Sequence, residues 1–373
     1  MPSNTLRTTI ALRSLNKAAA IACLAVSASI ATPAPTQADE RDNDRGVVRV
    51  MTQNMDEGTD FQELNGVQTP QQFFAAVSTI YQNILATKPA ERAAAMAREI
   101  AEHRPDLVAL QEASVLRTGS GGPAITVRMD LLQSLLDELA GLGQHYTAVA
   151  IIPGFDAQVP STLGFDVRIT TQDAILVRTD PLSDNLKVSN LQIEQFVVKF
   201  TAPTFIGTLI DPRGWAAIDV NAGGKSFRFV TTHLDSTHPA IRLAQASEMI
   251  RSAGNTSLPV IIAGDFNATA DTSLDPSYPT YQAMLNAGFT DAWQSKRAGD
   301  PGFTCCQAPD LLNATSLLNH RIDLVMLRGA FQVTEISLIG NQPADRTPSG
   351  LWPSDHAGVA ATLRLSARQA ANP

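Results

Sequence analysis

The 373-residue chain has little of several things that narrow a function. Cysteine occurs three times, and one of these, Cys23, lies in the leader discussed below, so the rest of the chain keeps only the adjacent pair Cys305–Cys306. Neighbouring cysteines cannot staple distant parts of a fold, which excludes a disulfide framework. The pair is read as buried thiols, with a vicinal disulfide and a stray metal as the other readings. Basic residues are also in deficit: Lys+Arg total 28 against 36 Asp+Glu, a formal net charge of −8. A protein that grips its partner mainly through a field of positive charge, such as a histone or a polybasic membrane binder, is excluded. Internal repeats, charge blocks and Ser/Pro linker tracts are missing as well, and one domain is the simplest account. Length and an apolar share of 44% are ample for a large core without staples.

The first 38 residues carry Arg7, Arg13 and Lys17, then a small apolar run from Ala18 to Ala31, and no further charge before Asp39. This is the pattern of a secretory signal, expected to be cleaved after Ala38 and to leave the protein secreted or periplasmic. The run is short of the ~20 apolar residues that a membrane span needs. Sequons at Asn255, Asn267 and Asn313 are read as chance matches, because the short Ala-rich leader looks bacterial.

Beyond the leader, short apolar runs recur at 47–51, 107–110, 174–177, 227–230, 260–263 and 322–327, and read as strands. Helical patterns occupy about 70–85, 90–103, 127–139, 240–253 and 278–287. The stretches 191–200 and 215–220 add β structure without helices, whereas Gly119, Gly121, Gly122 and the span 152–169 read as loops. Several strand runs lack alternation, as expected of strands covered on both faces. The expected fold is α/β (α+β), a four-layer sandwich of two packed mixed β-sheets flanked by helices.

Polar, metal-capable residues sit at the ends of these strands: Asn54 and Asp56, Gln111–Glu112, His233, then Asp265 and Asn267. Asp323 and the Ser354–Asp355–His356 triplet follow near the last strands. Rigid strand ends whose loops converge would bring such groups into one cleft. Taken in order, Thr52–Gln53–Asn54, Leu110–Gln111–Glu112, Thr232–His233–Leu234, Gly264–Asp265–Phe266–Asn267, Arg321–Ile322–Asp323 and Ser354–Asp355–His356 resemble the endonuclease/exonuclease/phosphatase superfamily, the pancreatic-deoxyribonuclease-like fold. The resemblance spans most of the chain after the leader.

That resemblance implies an exported phosphoesterase that uses Mg²⁺ or Mn²⁺ and hydrolyses phosphodiester bonds by direct in-line attack of water. A hard divalent cation held by carboxylate oxygens suits the charge of such a transition state. Glu112 is the principal candidate ligand, with Asp355 nearby. Asp56 is either a second carboxylate of the site or a turn residue before Gly58. His233, Asp265, Asn267, Asp323 and His356 are the candidate catalytic residues: Asp265 orients or deprotonates the water, His233 serves the leaving group, and Asp323 orients His356. Asn54 and Asn267 are expected on phosphoryl oxygens. Arg213 is either a phosphate clamp or a surface residue.

Nucleic acid is preferred as substrate, with a sphingomyelinase-like phospholipid activity or a small-molecule phosphodiesterase or phosphatase as alternatives, and a catalytically inactive binding protein as another. The absence of Gly-Asp-x-Asn-[Phe/Tyr]-Arg and of Cys-Asp-Arg at the late acid separates the chain from inositol-polyphosphate 5-phosphatases. The domain is expected to span 39–373, with a helical insertion around 57–95 that borders the cleft, and to act as a monomer without a stable protein partner.

Overall fold

The structure is a computed structural model that describes residues 46–180, 186–204 and 207–365. The expected signal segment 1–38 lies outside the described residues. In the first half of the chain, β1 (Val47–Asn54) is followed by helices α1 (Pro70–Ala86) and α2 (Pro89–His103), then β2 (Leu107–Gln111), β3 (Val115–Gly119) and β4 (Thr126–Asp130). Helix α3 (Leu131–Gly141) leads into the long hairpin of β5 (Tyr146–Pro160) and β6 (Asp166–Arg178). The second half holds β7 (Leu186–Gln195), β8 (Phe200–Thr204), β9 (Gly207–Asp211), β10 (Gly214–Ala222) and β11 (Lys225–His233). Helix α4 (Pro239–Arg251), β12 (Val260–Asp265), α5 (Tyr278–Asn286), β13 (Thr290–Asp291) and α6 (Ala292–Lys296) follow. The described chain closes with β14 (Asp323–Arg328), β15 (Phe331–Ile339) and β16 (Gly358–Leu365).

Two mixed sheets carry these strands. One has eight, in the order β15-β16-β1-β2-β6-β3-β4 with β5 on the other edge of β6, and the second has six, in the order β13-β14-β12-β11-β10-β7. Each contains a single parallel pair, β1 with β2 and β11 with β12, flanked by antiparallel neighbours. Side chains alternate across a strand, so each central strand supplies two cores. Val48, Val50, Leu107, Ala109, Ile175, Ala216, Ile218, Phe229, Ile261, Val325 and Leu363 meet between the sheets. Met51, Val108, Leu110 and Leu176 face outward and are covered by α1, α2 and α3, while Val230, Ile262 and Met326 are covered by α4 and α5. This is the four-layer sandwich expected from the uninterrupted apolar runs.

Two expectations fail locally. The helical pattern placed at 127–139 begins only at Leu131, because Thr126–Asp130 pairs with β3 and the Asp130 side chain caps the helix by accepting the Gln133 N–H at 3.0 Å. Residues 152–169, read as loop, are mostly the β5–β6 hairpin. Pro153, Gly154 and Pro160 disguised it. They are tolerated because β5 is an edge strand with bulges at 148–150 and 153–156, where missing N–H donors do no harm.

The segment 57–95 does hold helices, and α1 starts at a capping box in which Thr69 Oγ1 accepts from Gln72 N and Gln72 Oε1 accepts from Thr69 N. Its inward face is core, with Phe73, Val77, Ile80 and Ile84 packed beside Val108 and Leu110, and the half-buried Phe74 and Tyr81 added to the same cluster. The Ser78–Thr162 hydroxyl contact at 2.7 Å and the Tyr81–Phe165 ring pair brace the tip of the β5–β6 hairpin. Since Ile84 is fully buried, Ile84→Ala is expected to lower unfolding free energy by about 2–5 kcal/mol. Urea denaturation checks this; a change below ~1 kcal/mol would show α1 to be an accessory layer.

Candidate active site

Strand polarity builds the site. Because β1 and β2 run parallel, Asn54 lies opposite Gln111 at their C-terminal ends, and by the same logic His233 lies opposite Asp265 at the ends of β11 and β12. The antiparallel β14 begins where β12 ends, so Asp323 pairs with Asp265. The two sheets are joined just beneath this level by a buried polar chain, with Thr52 Oγ1 donating to Gln111 Oε1 at 3.1 Å and Gln111 Nε2 donating to Thr231 Oγ1 at 3.2 Å.

Asn54 joins the two halves. Its buried amide donates to Glu112 Oε1 at 2.9 Å and to Asp265 Oδ2 at 3.2 Å, one carboxylate from each sheet. The Asp265 Oδ2 atom also lies 3.4 Å from His233 Nε2 and 4.0 Å from His356 Nδ1. Asp323 Oδ2 is 2.8 Å from His356 Nδ1, so the expected Asp–His pair is formed. Ser354 Oγ donates to the Asn54 carbonyl at 2.8 Å and accepts the His356 N–H at 3.1 Å, which ties the last motif to the first. Glu112 and Asn267 both adopt left-handed backbone, φ 56° and 48° respectively, and so does Asp56 at 56°. Such conformations cost about 1–3 kcal/mol each in non-glycine residues and persist only where the surroundings hold them.

Electrostatics divides the groups. Burial by itself disfavours a His356 cation, but Asp323, Asp355 and Asp265 outweigh it and hold the ring protonated well above the ordinary histidine range. His233 is raised too: burial and Arg213 oppose its charge, while Asp173 and Asp265 favour it. Asp265 stays ionised despite burial because the two imidazoles, the Asn267 N–H and Asn54 all stabilise its anion.

On the other side, burial pushes the carboxyls of Asp56 and Asp355 upward, with Glu112 as a further like charge against both. Counter-charge there comes from Arg92, 3.6 Å from Asp56, and from His356, 4.0 Å from Asp355. Asp56, Glu112 and Asp355 are hard oxygen donors whose negative charge exceeds that of these two cations, a donor set suited to Mg²⁺ or Mn²⁺. Among the described residues, the groups of three possible ligand atoms within 4.8 Å of one another are Asp265–Asp323–His356 and Cys305–Cys306–His356, so Glu112, Asp56 and Asp355 are not drawn together as tightly.

Arg213 is half-buried, not a surface residue. Its Nε is held by Asp211 Oδ2 at 2.7 Å, and its charge acts on His233 and on Glu57. The Asn267 amide is turned to the Leu234 carbonyl at 3.0 Å. The Cys305 and Cys306 side chains lie against each other, with Cys306 Sγ 3.9 Å from His356 Nε2.

Three neighbours carried no signal in the sequence. Asp173 accepts the Glu112 N–H at 3.2 Å and faces His233 Nδ1 at 3.6 Å; it comes from the middle of β6. Glu57 accepts from Ser114 Oγ at 2.7 Å, gives its own N–H to Glu112 Oε2 at 2.9 Å, and is driven well above the usual carboxylate range by burial and by Glu112. Arg92 comes from the first turn of α2. None was singled out by the sequence, although Asp173 directly precedes the apolar run 174–177 and Glu57 adjoins Asp56.

Comparison with known proteins bears on the family and the fold. Residues 80–356 match the Endonuclease/Exonuclease/phosphatase family, a span that includes Glu112, His233, Asp265, Asp323 and His356 and begins after Asn54. Tyrosyl-DNA phosphodiesterase 2 of Rattus norvegicus is 30% identical over 164 residues, which is 41% of this chain and 42% of that protein. The chain therefore matches about two fifths of that relative's length. Among solved structures, an endonuclease/exonuclease/phosphatase family protein from Bacteroides thetaiotaomicron superposes with a TM-score of 0.53 at 17% identity, covering 86% of this chain and 98% of that one. D. rerio TDP2 complexed with single-strand DNA product gives 0.50 at 16% identity, covering 85% and 99%. At these identities the two structures speak for the fold.

Asp323 is the foremost group raising His356, so Asp323→Asn is expected to lower the imidazole's pKa. Because the folded value is raised, this pair's stabilisation is full below the unfolded value near 6.5 and disappears as pH rises through the folded one. NMR titration of the His356 ring checks the shift; an unchanged titration would remove Asp323 as the cause.

Proposed function

The chain belongs to the Endonuclease/Exonuclease/phosphatase family, and from that membership we propose that it is an exported phosphodiesterase dependent on Mg²⁺ or Mn²⁺ and directed at nucleic acid. The observation that carries the reading is Asn54, which places one carboxylate from each sheet within 3.2 Å of a single amide between two Asp-paired histidines. Glu112, with Asp56 and Asp355, would hold the cation. When bound, it supplies positive charge against the phosphoryl oxygens as the pentacoordinate state develops.

The chain's own groups do the rest. Ionised Asp265 orients the attacking water and takes its proton as the new P–O bond forms. The P–O bond to the leaving group breaks, and the protonated His233, oriented by Asp173, gives its proton to the departing oxygen. His356, kept cationic by Asp323, stabilises charge on the phosphoryl group, and the Arg213 guanidinium adds donors; both N–H groups of Asn54, expected on a phosphoryl oxygen, are taken by Glu112 and Asp265, so its part is to orient those carboxylates. The amide of Asn267, drawn to Leu234, would have to share its second N–H with a phosphoryl oxygen. No covalent enzyme intermediate is required.

The DNA in the name of the 30%-identical relative favours a nucleic-acid phosphodiester over a phospholipid or a small phosphoester. Export rests on the charged and apolar pattern before Asp39. The filled polar positions speak against an inactive binding protein on the same scaffold.

Excess chelator is expected to abolish turnover and Mg²⁺ or Mn²⁺ to restore it, while Glu112→Gln, which keeps size and removes charge, should cost about 10²-fold or more in kcat. Activity undiminished in either experiment would overturn the metal assignment. In a panel of DNA, RNA, sphingomyelin and a chromogenic phosphodiester at matched metal and low salt, DNA or RNA should be turned over fastest; faster cleavage of sphingomyelin would overturn the nucleic-acid preference alone. After export the protein should begin at Asp39 by N-terminal sequencing.

A further inference from the structure

Arg92 is fully buried, and a cation in that position must be satisfied on every side. Its partners are mostly main-chain oxygens. Nη1 donates to the Met55 carbonyl at 2.7 Å and to the Pro353 carbonyl at 3.2 Å. Nη2 donates to the Asp56 carbonyl at 2.7 Å and to Thr87 Oγ1 at 3.3 Å, and Nε donates to the Thr87 carbonyl at 3.1 Å. The Asp56 carboxylate stands 3.6 Å from the same guanidinium.

Three of those carbonyls, of Met55, Asp56 and Pro353, belong to the two turns that carry acids of the site. Met55 and Asp56 follow Asn54 directly, and Pro353 precedes Ser354–Asp355–His356. Only a planar group with donors pointing several ways can hold both turns at once; a lysine offers one nitrogen at a single point. The bond to the Asp56 carbonyl also acts on a residue at φ 56°, a conformation that needs external support.

We propose that Arg92 is a positioning residue of the active site, a buried cross-brace from α2 that sets the separation of Asp56 from Asp355 and thereby shapes the oxygen-donor site. The inference rests on the reading of Asp56, Glu112 and Asp355 as cation-holding residues. It differs from ordinary core packing in what it expects of the charge-conserving variant. Arg92→Lys keeps a buried cation but cannot span both turns, so the acids lose their register even where the fold survives.

The test compares the full-length parent with Arg92→Lys, Arg92→Ala and Glu112→Gln. Folding is followed by circular dichroism, Mn²⁺ binding by calorimetry without substrate, and kcat and KM separately at saturating Mn²⁺. Arg92→Lys is expected to remain folded, bind Mn²⁺ at least about fivefold more weakly and lose about 10²-fold in kcat, since displacements near 1 Å can cost that much. In Arg92→Ala, low millimolar guanidinium should restore activity saturably, whereas urea and sodium chloride at equal concentration should not. If Arg92→Lys is folded with parental Mn²⁺ affinity and kcat, the proposal is overturned, and this variant decides alone should Arg92→Ala fail to fold. Glu112→Gln separates the two levels: if it binds Mn²⁺ and turns over like the parent, the reading of the site fails; if it loses both while Arg92→Lys loses neither, only the brace fails.

Discussion

The concentration of acid at one rim of the two sheets is the condition that the rest of the site answers. Asp56, Glu57, Asp355, Asp265 and Asp323 are held in positions where burial disfavours charge, and Glu112 adds a like charge against Asp56, Glu57 and Asp355. Two kinds of compensation divide the cleft. Around Asp265 the compensation is internal: two imidazoles and an amide keep the carboxylate ionised. Around Asp56 and Asp355 it is incomplete, because Arg92 is already committed to backbone carbonyls as well. A hard cation fits where the protein leaves negative charge over, and a proton acceptor fits where the protein has neutralised it.

That division follows from the topology. A parallel strand pair delivers two C-terminal ends to the same level, and each sheet has one such pair. Had β2 run antiparallel to β1, Glu112 would lie a full strand length from Asn54. The chain Thr52–Gln111–Thr231 then links the sheets by hydrogen bonds at the level just beneath the site. It continues inward as Val50, Ala109 and Phe229, so this rim stands on a packed apolar base. The left-handed conformations of Asp56, Glu112 and Asn267 are bearable on such a base, because local strain of a few kcal/mol is small beside the burial of the core beneath it.

The Cys305–Cys306 pair and the β5–β6 hairpin show where a local reading runs out. Adjacent cysteines carry no long-range information, and only the fold reveals that Cys306 touches His356. In the hairpin, prolines and glycines signal a break wherever they occur, yet an edge strand has no second neighbour to disappoint. The helices of 57–95 were legible from their spacing, but the depth to which they enter the core was not: Ile84 is fully buried in the cluster that also holds Val108 and Leu110.

By itself the sequence determined several of the strands buried on both faces, though not β16, since uninterrupted apolar runs such as Val260–Ala263 suit no other environment, and it showed polar groups at the ends of several of them. Those two facts already imply a layered sandwich with a site at strand ends, and they mark Asn54, Glu112, His233 and Asp265; His356 was marked by its motif. Asp173, Glu57 and Arg92 belong to the tertiary structure alone. Their neighbours in space come from other strands and helices, as when Asp173 of β6 meets His233 of β11 across the two sheets. A carboxylate in mid-strand or an arginine on a helix has no local feature that tells its burial or its partner; the closing of one sheet on the other decides both.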